Sequence, residues 1–486
     1  MATKDSGVRI STRPSSTVPV SLDAVAEQIG AVSHGGSAAD CQVTGVAQSS
    51  RAVRPGDIYV ARVGGATHGA RFLGDAVVAG AVAWLTDTAG VAVATELAPE
   101  AVAALPAIVV DNPARVLGSA AALVYGNPAD ALTLIGVTGT HGKTTTTQLL
   151  EAGLSGVGRR TAVIGTMGTK VAGRAVSSTL TTPEAPDLHA LFAVMREQEV
   201  EVCVMEVSSH ALAIGRVDGV VFDLAVFTNF GRDHLDFHHS LEEYFAVKAS
   251  LLTPERARRG LVNIDDEQVA TLLEHPHIVV RTYSTQGRPA VWRGSTAVTA
   301  ADRSTFVLDG PGIHVETSVA LPGDFNVANA VCALAAIGET GGDVVGAAVA
   351  VGAVSSVPGR MESIARGQDF AVIVDYAHKP DAIAATLAAL RRVTTGRLVI
   401  VVGAGGDRDG GKRPMMGEVS ARLADVVIVT DDNPRGEDPA MIREQLLAGA
   451  RGAATGAVIR EIADRESAIS AALRGARADD TVLVAG

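Results

Sequence analysis

The chain has 486 residues, 47% of them apolar, and a formal net charge of −12. This length exceeds what one hydrophobic core usually serves, so three domains are expected, and the apolar content excludes a disordered chain. No apolar run approaches the roughly 18 residues that span a bilayer, and the negative charge disfavours nonspecific binding to nucleic acid or anionic lipid.

The N-terminal stretch from Met1 to Pro19 carries basic residues among Ser and Thr, but no apolar segment typical of a secretion signal follows. We therefore expect residues 1–19 to be a flexible, solvated leader. Cys41, Cys203 and Cys332 lie far apart and form no CxxC pair. This usage favours free thiols in the reducing cytoplasm over a disulfide framework.

Residues 20–128 are predicted to form an N-terminal α/β domain. A helix is expected from Leu22 to Ile29, and the turn-like segment 54–57 leads into a predicted strand at residues 58–61. Strand and helix patterns alternate up to Asp111. The segment Gly126-Asn127-Pro128 marks the boundary, because a residue that precedes proline disfavours helix.

From about Thr133 to the end, short Val/Ile/Leu runs alternate with Ala-rich helical segments, a pattern typical of parallel α/β sheets. Val357-Pro358-Gly359 divides this region into predicted domains at residues 129–357 and 358–486. In the second of these, buried strands are predicted at residues 370–374, 398–402, 426–429 and 482–484.

A glycine-rich loop follows the strand predicted at residues 132–137. Its sequence is Gly139-Thr140-His141-Gly142-Lys143-Thr144-Thr145, and a helix is expected to begin at its end. Backbone N–H groups and the helix N-terminus would bind phosphate, Lys143 would neutralise charge and Thr144 could ligate Mg²⁺. A strict Walker A loop has glycine where this chain has Val137, so the loop is a variant. The alternative is a Gly/Thr-rich turn without function.

Polar residues also follow the next predicted strands. Glu206 ends the apolar run that begins at Val202, and Asn229 ends a second run. In open α/β sheets ligands bind at this end of the strands, and a carboxylate there suits Mg²⁺. The alternative for Glu206 is an ordinary loop carboxylate.

Taken together, these motifs resemble the Mur ligases and their relative folylpolyglutamate synthase, whose phosphate loops have the form Gly-Thr-x-Gly-Lys-Thr. The resemblance extends from about Thr44 to the C-terminus. It implies an α/β chain of three domains: an N-terminal UDP-binding domain, a central P-loop ATPase-like parallel sheet, and a C-terminal Rossmann-like domain truncated at its end. The implied activity is ATP-dependent formation of an amide bond through an acyl phosphate.

The resemblance also assigns the nucleotide and metal residues. His234 matches the histidine of an Asn-x-x-x-Asp-His segment that reaches Mg²⁺, and Lys248 matches a lysine carbamylated by CO₂. From residue type alone, His234 would be a helix-start residue and Lys248 part of a solvated face. The implied catalytic residues are Lys143 and Lys248. The implied metal ligands are Thr144, Glu206, His234 and Lys248. The implied ATP contacts are residues 139–145 with Asn229, Asn329, Arg360 and Asp375.

The resemblance further assigns residues that contact the other two substrates. The implied contacts of UDP-MurNAc-L-Ala-D-Glu are Ser50, Arg51, His68, Thr181, Thr182, Ser208 and Arg216; Ser49 stands where the family has aspartate. The implied contacts of the added amino acid are Arg408, Asp432, Asn433, Arg435 and Gly486. In the family, Asp-Asn-Pro-Arg marks meso-diaminopimelate rather than lysine, because arginine can pair with the second carboxylate.

The family continues after the last strand with Lys-Gly-His-Glu, whereas this sequence stops at Gly486. Two alternatives therefore stay open: another ligase of the superfamily, of the lysine-adding or folylpolyglutamate type, or an inactive nucleotide-binding paralogue. The expected partners are small molecules, namely ATP, the UDP-sugar dipeptide and meso-diaminopimelate. We expect a cytoplasmic monomer that neither binds nucleic acid nor inserts into membranes.

Overall fold

The computed structural model describes residues 10–35, 40–177, 180–299 and 303–486. Its three large sheets have five, eleven and six strands, and the strands of each sheet come from a separate part of the chain. Each set falls within one of the predicted segments 20–128, 129–357 and 358–486. We propose that these three segments are separate domains.

The first part forms a five-stranded sheet in the order β2-β7-β6-β5-β4, while β1 pairs with β3. Its elements are β1 (Val20–Ser21), α1 (Leu22–Gln28), β2 (Ser33–His34), β3 (Gln42–Val43), β4 (Gly45–Ala47), β5 (Asp57–Val60), α2 (Leu73–Val78), β6 (Ala83–Thr86), α3 (Thr88–Leu97), α4 (Pro99–Ala104), β7 (Ala107–Val109) and α5 (Pro113–Val124). The helix expected at Leu22 is present, with Ser21 as its N-cap.

The central part forms the eleven-stranded sheet. Its elements are β8 (Thr133–Thr138), α6 (Lys143–Gly156), β9 (Thr161–Gly165), β10 (Gly168–Val171), β11 (Arg174–Val176), α7 (Ala185–Glu197), β12 (Val202–Glu206), α8 (Ser209–Ala213), β13 (Leu224–Phe227), α9 (Leu241–Ala249), β14 (Arg259–Asn263), α10 (Glu267–Ala270), β15 (Val279–Ser284), β16 (Trp292–Thr299), β17 (Ser304–Gly310), β18 (Ile313–Val319), α11 (Asp324–Glu339) and α12 (Val344–Gly352). The strand order is β11-β10-β9-β12-β8-β13-β14-β15-β16-β17-β18.

The C-terminal part forms a six-stranded sheet in the order β19-β20-β24-β21-β22-β23. Its elements are β19 (Glu362–Ser363), β20 (Ala371–Asp375), α13 (Pro380–Arg391), β21 (Leu398–Val402), α14 (Lys412–Leu423), β22 (Val426–Val429), α15 (Pro439–Gly452), β23 (Val458–Glu461), α16 (Arg465–Gly475) and β24 (Thr481–Ala485). All four strands predicted in this part are present, with bounds that differ by at most one residue.

The middle of the central sheet is parallel, as predicted, and antiparallel strands that the sequence analysis did not predict extend it at both edges. Strands β9 and β12 to β15 run parallel to their neighbours around β8, but β10, β11, β17 and β18 are antiparallel additions at the two edges. The reason is local. Gly173 and Gly312 have positive φ in two-residue turns, which leave no chain for a helical crossover between the strands.

The leader also departs from expectation where it is described. Residues 1–9 lie outside the described part, but Arg13 is largely buried and donates to both carboxylate oxygens of Asp57, at 2.8 and 2.7 Å. Ser15 donates from its backbone and hydroxyl to Glu197 of the central part. A paired, buried guanidinium fixes its backbone, so residues 10–19 are not a frayed tail.

The middle of the central sheet is buried on both faces. In β8, Ile135 and Val137 face a core shared with α6 and α11, whereas Leu134 faces a second core shared with α7. This sandwich explains why the strand reads as a continuous apolar run. It also leaves the carboxyl ends of β8, β12 and β13 as the place where polar loops meet. Within the described residues, no helix has the length and apolarity needed to cross a membrane.

Candidate active site between the central and C-terminal sheets

A cavity of about 1130 Å³ lies at the carboxyl ends of the central parallel strands, and residues of the C-terminal part close its other side. Strands β12 and β13 flank β8 in parallel register. The segments that follow them therefore converge: the glycine-rich loop after β8, Glu206 at the end of β12, and Asn229 after β13. Apart from Gly139, every residue predicted to contact ATP or metal lines this cavity.

The glycine-rich loop has the geometry of a phosphate cradle. Gly139 and Gly142 have φ values of 140° and 81°. A Cβ atom at Gly142 would lie 2.4 Å from Oδ1 of Asn329, so this position tolerates no side chain. Helix α6 begins directly afterwards at Lys143, and its free N–H groups point toward the cavity end of the helix. Asn229 braces the loop, since its amide accepts from the backbone N–H of His141 at 2.8 Å and donates to its carbonyl at 3.1 Å.

Two lysines meet on the loop. Lys143 Nζ and Lys248 Nζ each donate to the Gly139 carbonyl at 2.8 Å. Burial, together with the charge of Lys379, lowers the pKa of Lys143 to about 8. Burial and the charges of Lys143 and Lys379 lower the pKa of Lys248 well below its usual range. Holding both amines protonated is therefore costly in the free site, and a bound anion would favour their charged forms.

Oxygen atoms suitable for a metal lie on the same side. Glu206 is buried and accepts from the Thr166 N–H at 2.8 Å and from the Thr166 hydroxyl at 3.1 Å. Thr181 contacts the Thr166 hydroxyl at 3.3 Å. Within the described residues, no group of three or more His, Cys, Asp or Glu side chains is arranged to hold a metal ion.

The C-terminal part reaches into the cavity at several points. Arg360 donates to the Thr144 hydroxyl at 3.0 Å and stacks on the Tyr376 ring, 4.7 Å from its centroid. Asp375 accepts from the Met361 N–H at 2.8 Å, and burial raises the pKa of its carboxyl. Further contacts run from the loop itself to the same domain.

Further polar contacts, one of them an ion pair, cross the interface beside these. His141 Nε2 lies 2.7 Å from Oδ2 of Asp381, the second residue of α13. Lys379 Nζ lies 2.5 Å from Oδ2 of Asp233, and His234 Nε2 contacts the same oxygen at 2.9 Å. Burial would raise the pKa of Asp233, but the hydrogen bond from His234 and the charge of Lys379 outweigh it and hold that pKa well below its usual range.

A second cavity of about 360 Å³ adjoins the first. Its lining includes four residues that the resemblance assigned to the added amino acid, namely Arg408, Asp432, Arg435 and Gly486. Arg435 donates to the Gly406 carbonyl at 2.6 Å and Arg408 to Asp236 at 3.4 Å. Asn433 lies in the same loop but does not line the cavity; its amide accepts from the Arg435 N–H at 3.4 Å.

The residues predicted to contact the UDP-sugar dipeptide are not gathered in one place. Thr181 and Ser208 line the larger cavity. Thr182 is buried and donates to the Glu206 carbonyl at 2.9 Å, and Arg216 donates to Glu184 at 2.8 Å. Ser50, Arg51 and His68, in the N-terminal part, line neither cavity. His68 instead contacts Asp87 through Nε2 at 3.2 Å.

Sequence reasoning missed several charged residues of the site, among them Asp233, Lys379, Asp381 and Lys412. All four line the smaller cavity, and the first three also line the larger one. Lys379 and Asp381 follow the carboxyl end of β20, and Glu206 stands at the carboxyl end of β12. Their position after a buried strand was a usable signal, but the partner across the interface was not visible in the sequence.

Comparison with known proteins adds three matches to family models, which together span most of the chain. They are "Mur ligase family, catalytic domain" at residues 42–125, "Mur ligase middle domain" at residues 137–337, and "Mur ligase, glutamate ligase domain" at residues 359–486.

Individual proteins match over nearly the full length. A UDP-N-acetylmuramoyl-L-alanyl-D-glutamate–2,6-diaminopimelate ligase of Streptomyces coelicolor is 47% identical over 99% of this chain and 92% of its own length. A UDP-N-acetylmuramyl-tripeptide synthetase of Leifsonia xyli is 45% identical over 92% of this chain and 87% of its own. A solved structure of a UDP-N-acetylmuramoyl-L-alanyl-D-glutamate–2,6-diaminopimelate ligase superimposes with a TM-score of 0.68 at 30% identity, covering 96% of this chain and 93% of that one.

Proposed function

The chain belongs to the Mur ligase family, and we propose that it is an ATP-dependent ligase that adds meso-diaminopimelate to the D-glutamate of UDP-MurNAc-L-Ala-D-Glu in peptidoglycan synthesis. One observation of the structure carries the proposal. A cavity built on a phosphate loop adjoins a second cavity that Arg408 and Arg435 line. A nucleotide and a dicarboxylic amino acid would thus bind side by side.

The proposed reaction has two steps. A γ-carboxylate oxygen of D-glutamate attacks the γ-phosphorus of ATP, and the bond to the β-phosphate oxygen breaks to release ADP. The amine of meso-diaminopimelate then attacks the acyl carbon, inorganic phosphate leaves, and the amine loses its proton to solvent. No side chain forms a covalent bond, so the protein contributes positioning and charge neutralisation.

Within this scheme the phosphate loop holds ATP. The N–H groups at the start of α6 and the ammonium of Lys143 face the phosphates, while Asn229 fixes the loop through His141. Arg360 and Asp375 bring the C-terminal part against the nucleotide. For the dipeptide substrate, Thr181 and Ser208 line the larger cavity together with Glu206. Next to them, Arg216 donates to the Thr182 carbonyl and so stabilises this wall.

The residues present fit Mg²⁺. Glu206 and the Thr144 hydroxyl offer hard oxygen atoms on the cavity wall. The lack of a protein cage among the described residues agrees with how Mg²⁺ binds, through one or two carboxylates, waters and substrate phosphates. When bound, the ion would neutralise charge on the phosphates. We propose Thr144, Glu206 and His234 as its protein ligands, although His234 is paired with Asp233 in this structure.

We also propose that Lys248 carries a carbamate. Its buried amine and strongly lowered pKa favour the neutral form, which is the form that reacts with CO₂. The product would be an anion among cations, which relieves the excess positive charge beside Lys143.

The test is ADP release by the purified protein with ATP, Mg²⁺, the UDP-sugar dipeptide and an amino acid. We expect turnover to require every component and to favour meso-diaminopimelate over lysine. Lys143→Ala serves as the inactive control, and Lys170→Ala, at an exposed lysine of β10, as the active one. ADP release that does not depend on the amino acid would contradict the proposal and favour the nucleotide-binding paralogue.

A parallel assay with lysine tests the lysine-adding alternative. It is needed because the Leifsonia xyli relative is named a tripeptide synthetase, without a stated amino acid. Equal kcat/KM for lysine and meso-diaminopimelate would support it. We further propose a cytoplasmic monomer. The free thiols of Cys41, Cys203 and Cys332 agree with a reducing compartment.

A further inference from the structure

The two cavities meet at a small set of shared residues. Those that line both are Asp233, His234, Tyr376, His378, Lys379 and Asp381. If the larger cavity holds ATP and the smaller one the amino acid, the acyl phosphate must be formed and then attacked at this junction. The charges of the shared residues therefore act directly on the reacting atoms.

Lys379 is the single lysine or arginine among these six residues. Its backbone belongs to the C-terminal part, at the N-cap of α13, but its side chain crosses to Asp233 of the central part. Only 7% of the Lys379 side chain and 11% of the Asp233 side chain are exposed. An ammonium this well shielded is little screened by solvent, so its effect on a nearby anion is strong.

Lys379 also lies beside the phosphate loop. It is close enough to Lys143 and Lys248 for its charge to lower the pKa of both. Its carboxylate partner Asp233 is shared with His234. The Lys379 ammonium is therefore placed near the groups that would hold the phosphates, where it could stabilise the charge of a transferring phosphoryl group.

We propose that Lys379 contacts the phosphoryl group during its transfer from ATP to the substrate carboxylate, and that Asp233 positions the ammonium for this contact. The inference rests on the proposed ligase function and adds a third phosphate-facing lysine, supplied by the C-terminal part. The catalytic site would then be complete only when the two parts are closed on each other.

The test separates this role from that of an interdomain latch. Lys379→Met keeps the length of the side chain and removes its charge, Lys379→Arg keeps the charge, and Asp233→Asn removes the partner but leaves the lysine. Acyl phosphate formation is measured without amino acid, by trapping the product with hydroxylamine at saturating ATP and UDP-sugar dipeptide. Circular dichroism and thermal melting check the fold, and the double variant Lys379→Met/Asp233→Asn avoids an orphaned buried carboxylate.

We expect Lys379→Met and the double variant to slow trapping by about 100- to 1000-fold, the usual effect of removing one transition-state donor. The KM for ATP should change by less than about threefold, Lys379→Arg should recover part of the rate, and Asp233→Asn should cost less than Lys379→Met.

Two results would overturn the inference. In the first, Lys379→Met and Asp233→Asn weaken the reaction equally and do so by raising the KM for ATP. That result would mean that the pair only holds the two parts together. The other is trapping by a folded Lys379→Met protein at the wild-type rate. Absence of trapping in the wild type would instead contradict the ligase function itself, so the two failures are distinguishable.

Discussion

At the scale of single residues, the site is defined by two lysines that are costly to protonate together. Lys143 and Lys248 both donate to the Gly139 carbonyl, which cannot neutralise an ammonium charge. Such an arrangement is destabilising in the free protein and is compensated when an anionic ligand binds. The same reasoning makes Lys248 a candidate for modification rather than a structural lysine.

Lys248→Ala should lower kcat by about 1000-fold, comparable to the loss of one strong electrostatic contact, because no carbamate can form. Formate or acetate at high concentration should restore part of the rate by occupying the vacated carboxylate position. The measurement is ADP release with and without the added acid, with Lys170→Ala as the matched surface control. Lack of rescue, together with a wild-type rate that is unchanged after bicarbonate removal, would refute carbamylation.

Arg435→Ala tests amino-acid selectivity. A charge-assisted hydrogen bond is worth roughly 1.5–3 kcal/mol, so kcat/KM for meso-diaminopimelate should fall by about 10- to 100-fold. Lysine has no second carboxylate, and its slow reaction should change little. The ratio of the two specificities is the quantity to measure, with Arg451→Ala, an exposed arginine of α15, as control. Equal losses for both amino acids would mean that Arg435 supports the loop through Gly406 instead.

At the scale of elements, helix α7 links the central sheet to the N-terminal part, since it packs on α5. His189 lies in the middle of this helix and is fully buried. Its Nε2 lies 3.2 Å from the Asp218 carbonyl, whereas Nδ1 has no hydrogen-bond partner among the described residues. Burial lowers the pKa of His189 to about 4, so the neutral ring is part of the folded structure.

This shift predicts a pH dependence of stability. The folded pKa of His189 is below the unfolded value of about 6.5. The stability that the neutral ring contributes is therefore fully present above pH 6.5 and is lost as the pH falls toward 4. The free energy of unfolding should fall by at most about 3 kcal/mol through this group. His189→Gln, which can keep the bond to Asp218, should unfold in urea with a smaller pH dependence between 6.5 and 4. His314→Gln, at an exposed histidine, is the control; identical pH profiles for the wild type and His189→Gln would contradict the prediction.

At the scale of the whole molecule, the larger cavity is lined by residues of both the central and the C-terminal part. Arg360 forms the contact closest to the phosphate loop, through the Thr144 hydroxyl. The contact of His141 with Asp381 and the ion pair of Arg408 with Asp236 also join the two parts. If the larger cavity binds ATP as proposed, closure would couple that binding to the placement of the smaller cavity.

Arg360→Ala should raise the KM for ATP by about 10-fold, corresponding to one charge-assisted hydrogen bond, with a smaller effect on kcat. Steady-state kinetics with varied ATP measure both constants. Arg391→Ala is the control. Arg391 is an exposed arginine that pairs with Asp425 inside the C-terminal part, so its loss should change neither the KM for ATP nor kcat. An effect on kcat alone would mean that Arg360 acts on the transition state and not on closure.

The sequence by itself determined the elements that carry their own local signal. The phosphate loop was predicted from glycines between an apolar strand and Lys143, and the structure has that strand, turn and helix. The C-terminal strands were predicted from runs of Val, Leu and Ile, because strands buried on both faces have no polar positions. Family resemblance added roles that residue types alone would not assign, above all for Lys248.

Only the tertiary structure decided which residues meet across the parts of the chain. The antiparallel edges of the central sheet, the anchoring of Arg13 on Asp57 and the pair between Lys379 and Asp233 all join positions far apart in sequence. Such contacts depend on the packing of whole elements and leave no periodic pattern. The physical reason is that local sequence specifies backbone conformation and burial, whereas the electrostatics of a site depend on distances that the fold alone sets.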